Sequence, residues 1–271
     1  MKLSIITINY NNIDGLQCTI NSVLSQTWKD FEWIIIDGGS TDGSKELISD
    51  LTKSQNSNIS YWCSEKDKGI YNAMNKGVAH ANADYINFMN SGDTYYDDTS
   101  LSKMFENSFN AEITYGNAFW GLNKKYIFNS PQNLTLDYFI DGSLGHAACF
   151  IQRKLLVENP YDENYRIVSD WKNWLLWLIK GYKFEHRCVN VACFDTTGIS
   201  TVNKELDHLE RNKVWNELLS PAMNDVIRRC HKYEKSRFQN PELEEIEKLI
   251  TKRLLYRKLF RLIKNILRRI G

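Results

Sequence analysis

"FEWIIIDGGSTDGS", residues 31–44, decides the fold. Phe31–Ile36 is a short apolar run of strand length, rich in β-branched residues. Asp37 ends it, two glycines turn the chain, and a helix is expected from about residue 43. The same plan opens the chain: residues 3–9 read as a buried strand, and Asn11, Asn12 and Asp14 offer caps for a helix running through Leu24. "NISYWCSE" and "GIYNAMNKGVAHA" repeat it again, and "DYINFMN" is a fourth strand. Strands alternating with helices imply a parallel sheet covered on both faces. Ligands of such sheets bind beyond the carboxyl ends of the strands. Those ends are Asn9-Tyr10, Asp37, Ser64-Glu65 and Asn90–Asp93, so topology alone gathers the polar residues on one rim.

After residue 110 the pattern is mixed. "AEITYGNAFW" and "KKYIFNSP" read as a strand pair, "SLGHAACFIQ" and "FEHRCVNVACF" as further strands, and "DWKNWLLWLIKGY" as a helix ending near Gly181. From about 203 the chain reads as helical, with Pro221 and Pro241 at helix starts or breaks. The expected organisation is an α/β domain over 1–202 and a helical extension over 203–271.

The bulk numbers suit an ordinary soluble protein: 271 residues, 42% hydrophobic, 25% charged, net charge +1. Without a basic face, no nucleic-acid partner is expected. None of the six cysteines forms a C-x-x-C pair, which removes a zinc or dithiol motif. The opening "MKLSIITINYNN" has an apolar run too short for a signal peptide. No stretch approaches the roughly 18 apolar residues of a membrane span. A reduced, cytoplasmic protein is expected.

Asp37 and Asp42 divide the labour of one corner. Asp42 reads as a helix N-cap, whereas an acid at the sheet rim suits a hydrogen bond to a base N–H or a ribose hydroxyl. Neither the dinucleotide fingerprint nor a P-loop follows the first strand. "NSGD", residues 90–93, is open to two readings. All four residue types form turns, and a hard cation needs only one or two carboxylates when phosphate and water complete its shell.

The ordered set "SIITINYNN", "IIIDGGSTDGS", "SEKDKGIYNAMNKGVAHANADYINFMNSGD" and "YRIVSDWKNWL" resembles family 2 glycosyltransferases of the GT-A fold, in particular bacterial enzymes that decorate surface polysaccharides. The resemblance spans roughly residues 1–200. It implies a mostly parallel nucleotide-binding sheet and transfer of a sugar from a nucleotide-sugar, UDP-linked by default, to a glycan or lipid-linked acceptor. Thr7, Asn9 and Tyr10 match the first-strand end lining the nucleotide pocket, and Asp37 the acid that contacts the base. Asp67 and Asn75 match positions around the donor, with Lys68 as a positive neighbour of phosphate. Asp93 matches the metal ligand, for Mn2+ or Mg2+, and Asn90 stands where many members carry another Asp. Asp170 matches the catalytic base of inverting members, and His146 falls on the acceptor side.

The sequence also departs from the family pattern. Ile8 replaces a common Pro, Gly38 the second acid of D-D-G-S, and Met74 a common Arg. The Q-x-x-R-W motif of processive synthases is absent, so transfer of one sugar is expected.

Asp170 has a competing reading from its residues alone, because Ser169-Asp170 before an apolar run is good capping chemistry. A histidine such as His146 is by default a satisfied core residue. Asp97 and Asp98 read as caps of the next helix. "TTGISTVNK", residues 196–204, suits a loop closing over the donor. Residues 252–270 combine eight Lys or Arg with Leu and Ile at helical spacing, the pattern of a helix lying on an anionic membrane. A helix packed on the body and a homodimer seam are its alternatives. That pattern places the enzyme peripherally on the inner face of the plasma membrane. The rival from another class is a non-catalytic nucleotide-sugar or glycan-binding module recruiting partners to the membrane.

Overall fold

The computed structural model describes residues 2–53, 57–122, 124, 126–128, 130–196, 198 and 203–239. The chain forms two compact units, residues 1–219 and 220–271.

The first half of unit one is the expected alternation. Strands β1 (Leu3–Asn9), β2 (Phe31–Asp37), β3 (Ile59–Ser64) and β4 (Tyr85–Phe88) run parallel in the order β3-β2-β1-β4. Helices α1 (Ile13–Leu24), α2 (Ser44–Thr52) and α3 (Ile70–His80) connect them. Every residue of β1 and β2 is buried, as a sheet covered on both faces requires. The period of two sorts them. Leu3, Ile5, Trp33 and Ile35 join one core cluster with Leu16, Ile20 and Val23 of α1 and Ile48 of α2. Ile6 points the other way, onto α3. The approach there is so close that a Cβ on Gly77 would lie 2.5 Å from Ile6 Cγ2.

The second half of the sheet is mixed. Strand β5 is Thr94–Tyr95, β6 Ile113–Trp120, β7 Tyr126–Phe128, β8 Cys149–Gln152 and β9 Phe184–Phe194. Antiparallel β8 joins β4 to β6, parallel β9 lies on the other side of β6, and β7 pairs with β6 as the expected hairpin. Short helices α4 (Ser100–Met104), α5 (Tyr138–Asp141) and α6 (Arg153–Glu158) lie between strands. Asp97, expected as a cap of α4, instead accepts the Thr99 N–H at 2.9 Å in the turn before the helix, and Thr99 holds the N-cap position with no side-chain cap bond.

Helix α7 (Ser169–Ile179) buries Trp171, Trp174 and Trp177 and stops before Gly181 at φ +80°. Helix α8 (Lys204–Leu218) lies in unit one. The compact unit therefore runs past residue 202, the boundary read from sequence. Unit two is described through α9 (Pro221–Gln239), which Pro221 starts as expected. The basic segment 252–270 lies outside the described residues. Among the described residues no helix is long and apolar enough to cross a membrane.

A buried acid locks the start of the sheet. Glu32, 3% exposed, accepts Ser4 Oγ at 2.6 Å and the N–H groups of Asn82 and Ala83 at 2.6 and 3.2 Å. Burial raises its pKa, but bonds from Ser4 and Asn82 outweigh this and hold the carboxyl below its ordinary range. A group depressed in this way stabilises above the unfolded glutamate pKa and loses that contribution as pH falls through the folded value. Glu32→Ala takes the acceptor from Ser4 Oγ and the Asn82 N–H, while the Ala83 N–H keeps Ser4 Oγ at 3.1 Å, and should cost about 2–3 kcal/mol. Urea unfolding at neutral pH checks this, and the deficit should shrink in acid.

Candidate active site

The parallel register sets Asn9, Asp37 and Ser64 side by side at the carboxyl ends of β1, β2 and β3. Asp37 is fully buried. Its carboxylate accepts Asn9 Nδ2 at 2.8 Å, Ser40 N at 3.0 Å, Ser64 Oγ at 2.6 Å and the Ser40 hydroxyl. Burial pulls its pKa up, and the bonds from Ser40, Ser64 and Asn9 more than reverse that. Asp37 therefore stitches three segments together beneath the rim rather than reaching into the space beyond it. The next corner uses Asp42, which accepts the N–H groups of Ser44 and Ile13 at 3.1 and 2.9 Å. It serves the starts of α2 and α1 together, while Gly43 at φ +97° holds the N-cap position itself.

Above this rim opens a cavity of about 1140 Å3. Asn9, Tyr10, Asp67, Lys68, Asn90, Asp93, His146 and Asp170 all line it. Gly38 matters here: a Cβ on it would meet Tyr10 Cδ2 at 3.1 Å and Asp67 Oδ2 at 3.3 Å. The acid missing from the family pattern thus leaves room between those two side chains. Lys76 pins Asp67 through a 2.6 Å ion pair and also holds Glu65 at 2.7 Å.

Besides Asp37, two expected site residues lie away from the cavity. Thr7 is buried inside the core, donating to Met89 O at 2.8 Å and accepting from Trp33 Nε1 at 2.9 Å. Both partners are structural, so its role is to tie β1 to β2 and β4. Asn75, which does not line the cavity, clasps Tyr161 through Nδ2 to its carbonyl (2.8 Å) and Oδ1 from its N–H (3.0 Å).

Residues 90–93 form a turn whose Asn90, Ser91 and Asp93 line the cavity. Asp93 N bonds Asn90 O at 2.9 Å and Gly92 sits at φ +98°. Thr19 of α1 clamps the turn, donating to Asp93 O at 2.7 Å and accepting from Gly92 N at 3.0 Å. Asp93 Oδ1 accepts the Asp195 N–H at 3.0 Å. A Cβ on Gly92 would lie 2.9 Å from Asp195 Oδ2, so the two acids meet at the turn. Burial, reinforced by the charge of Asp195, pushes Asp93 up to about 7 against its backbone hydrogen bonds. Asn90 Oδ1 is buried with no hydrogen-bond partner. Among the described residues no group of three or more His, Cys, Asp or Glu comes together. Two hard carboxylates fit Mg2+ or Mn2+, which need no more when a diphosphate supplies further oxygens.

Asp170 is released from capping. The N-cap of α7 is Val168, with no side-chain cap bond. The N–H groups of Arg166, Ile167 and Val168 go instead to the Glu210 carboxylate of α8, at 2.8, 2.9 and 3.3 Å. Ser169 accepts the Asp162 N–H at 2.6 Å. Asp170 Oδ1 accepts the Tyr71 hydroxyl at 2.9 Å, and that same hydroxyl lies 2.5 Å from Ile167 O. Burial, then the Asp170 charge, push Tyr71 well above its ordinary pKa, so it stays a donor. His146 bonds the Tyr161 hydroxyl at 2.9 Å and packs against Phe88, ring centroids 4.8 Å apart and tilted by 31°. Burial lowers its pKa, with the Asp170 charge opposing. Of the segment 196–204, residues 197 and 199–202 lie outside the described residues.

Sequence reasoning missed Asp195, Tyr71 and Glu210. Asp195 carried a signal: it ends the apolar run of β9 as Asp37 ends β2. Tyr71 and Glu210 act across long separations that no local pattern reveals.

A curled sheet with its acids collected around a cavity at the strand ends is the architecture of GT-A-like glycosyltransferases. The chain belongs to glycosyl transferase family 2, whose profile matches residues 4–145, and it is a glycosyltransferase. It is 31% identical over 237 residues to an uncharacterized glycosyltransferase of Mycobacterium tuberculosis, with 84% of each chain covered. It is 27% identical over 173 residues to a PGL/p-HBAD biosynthesis glycosyltransferase of Mycobacterium bovis, covering 62% of this chain and 66% of that one. Among solved structures, S. aureus TarS 1-349 in complex with UDP-GlcNAc matches with TM-score 0.61 at 17% identity, over 84% of this chain and 70% of that one. The mannosyltransferase PcManGT from Pyrobaculum calidifontis, in complex with GDP-Man and Mn2+, matches with TM-score 0.55 at 12% identity, over 71% and 56%. These two likenesses show the fold.

The raised pKa of Asp93 has a measurable sign. Between its model-compound value of 3.8 and about 7, the folded state holds a proton that the unfolded chain releases. Stability from this group is present in acid and is lost as pH rises through about 7. In EDTA, Asp93→Asn should therefore raise the melting temperature at pH 8, by about 2–4 °C for each kcal/mol relieved. At pH 5, lower in that window, the rise should be less than half as large. Equal shifts at both pH values would contradict the burial argument.

Proposed function

We propose that this glycosyltransferase moves one sugar from a UDP-linked donor to a hydroxyl of a glycan or lipid-linked acceptor, with inversion and with a divalent cation, in cell-surface polysaccharide synthesis. One observation carries the reading. The same cavity holds the Asp93–Asp195 pair and, separately, a carboxylate at Asp170 that a neighbouring hydroxyl orients and no helix consumes.

In this reading the nucleoside lies over Asn9, Tyr10 and the gap at Gly38, with Asp67 beside it. Asn9 Oδ1 is buried and without a hydrogen-bond partner, an acceptor in search of a ligand N–H or O–H. Lys68 faces the diphosphate, whose bridging charge grows as the anomeric C–O bond breaks. Asp93 and Asp195 would hold Mn2+ or Mg2+, which supplies Lewis-acid stabilisation of the leaving diphosphate when bound. On the opposite face of the sugar, Asp170 takes the proton from the attacking hydroxyl. The electron pair of the broken bond leaves with the diphosphate, and the new bond forms from behind. Tyr71 fixes the carboxylate for this task. His146, kept neutral by burial, lines the acceptor side.

The UDP-GlcNAc complex of TarS supports a UDP-linked donor, and the Mn2+ complex of PcManGT supports cation use. The basic, apolar-striped pattern of residues 252–270 supports docking on anionic lipid, where a lipid-linked acceptor would be presented.

The test is kinetic. Asp170→Asn should lower transfer about 10²–10⁴-fold while Mn2+-dependent UDP binding stays within about twofold of wild type. Asp93→Ala should abolish the metal dependence of that binding. Transfer retained by Asp170→Asn would remove Asp170 from the base role. Tyr71→Phe takes a donor from the Asp170 anion and should move the acidic limb of the pH–rate profile upward. An unmoved limb with unchanged rate would leave Tyr71 a packing residue.

A further inference from the structure

Three aromatic rings at one end of the cavity have no part in the chemistry above. Trp120 and Phe194 lie 4.7 Å apart between centroids at 67°, Trp120 and Phe128 5.7 Å at 64°, and Phe128 and Phe194 5.8 Å at 70°. Sheet register places them together. Trp120 pairs with Phe194 across β6 and β9, and Phe128 pairs with Ala118, two residues from Trp120, across β6 and β7. Partners in register and residues two apart share a face, so the rings crowd one face around the small Ala118. All three line the cavity.

An aromatic cluster is usually core, and this one is not closed over. Trp120 is 37% exposed and faces the cavity with the largest apolar side chain a protein can offer. Its connection to the reacting end is also visible. Gly145 packs against it so closely that a Cβ there would lie 2.8 Å from Ala118 Cβ and 3.4 Å from Phe194 Cε1. The same loop is held at Gly142 O by Trp171 Nε1 at 3.1 Å and by Arg211 at 2.9 Å. Trp171 directly follows Asp170. One short backbone segment therefore runs from the rings to the base.

We propose that Trp120, Phe128 and Phe194 form the platform on which a pyranose ring of the acceptor stacks, presenting its hydroxyl to Asp170. The proposal deepens the transfer reading above and rests on it. A pyranose has a C–H face that suits an aromatic ring and an edge of hydroxyls that needs polar partners. Polar partners are at hand in the same cavity: Ser143, in the loop that packs on the rings, and Arg166 both line it. An aliphatic lipid chain would call for a continuous aliphatic channel instead of a cluster of rings. The platform selects acceptors by ring shape and leaves the donor end untouched.

The test is saturation-transfer NMR on the full chain with UDP and Mg2+. The probes are the methyl pyranosides of glucose, galactose, mannose and N-acetylglucosamine, with octyl phosphate as the aliphatic comparison. At least one pyranoside should receive saturation mainly at ring C–H protons. Trp120→Ala should weaken its binding by up to about tenfold, and Trp120→Phe should restore most of it. UDP titration on each protein reports an intact donor end. If Trp120→Ala loses UDP binding as well, Phe128→Leu provides the same comparison. No pyranoside binding, binding indifferent to both substitutions, or dependence on Trp120 seen with octyl phosphate alone would overturn the platform. Diphosphate release from UDP-sugars on the same samples is read separately. Its absence alongside Trp120-dependent pyranoside binding would strike the transfer chemistry and leave the platform standing.

Discussion

A buried carboxylate at the end of a parallel register governs this site. Charge removed from water is expensive unless every lone pair is met. Asp37 meets the condition with donors from β1, the 38–43 corner and β3. That satisfaction is possible only if Asn9, Asp37 and Ser64 stay flush, so the acid and the register enforce one another. Once the corner is fixed, Asp42 can start α1 and α2 together, and α1 can carry Thr19 to the turn at 90–93. The rim that faces the cavity is thus assembled from below. The residue that most resembles a ligand contact by position acts as its foundation.

Much of this was legible because strand and helix periodicities report burial directly. The alternation through residue 90, the β6–β7 hairpin and the Trp-rich helix all appear where the apolar spacing puts them. Of the residues read from strand ends, Asn9 and Asp93 line the cavity and Thr7 does not, and the difference is depth. Thr7 lies two residues short of the end of β1 and shares the face of Leu3 and Ile5. A hydroxyl there is buried against Trp33 and Met89. Asn75 does not line the cavity either: it lies one helical turn beyond Tyr71. That stripe of α3 meets the 161–170 segment, where Asn75 holds Tyr161 and Tyr71 holds Asp170.

What stayed hidden depends on chain segments that meet only in the folded state. Glu210 sits in a helix whose composition suggested an appendage, yet its carboxylate takes three successive N–H groups some 42 to 44 residues earlier in the chain. Lys172 repeats the connection, bridging Asp162 of the preceding loop and Glu217 of α8 at 2.9 and 2.6 Å. The Glu210 bonds order the loop that leads into α7, whose N-cap position is Val168 with no side-chain cap bond, so neither Ser169 nor Asp170 takes the capping place that local sequence chemistry would assign it.

The acids around the cavity are each compensated differently, and the differences assign their tasks. Asp37 is surrounded by dipoles and held below its ordinary pKa, so it stays an anion without any ligand. Asp67 has Lys76. Asp170 has the hydroxyl of Tyr71 as a donor. Asp93 alone is driven up to about 7, by burial and by the charge of Asp195 beside it. An acid in that condition binds a proton weakly near neutrality and gains by exchanging it for a harder, more highly charged cation. The same two carboxylates would repel a bare diphosphate, so donor and cation favour each other's binding there. Charge balance thus sets the Asp93 turn apart as the place where burial and a neighbouring acid leave a carboxylate least compensated.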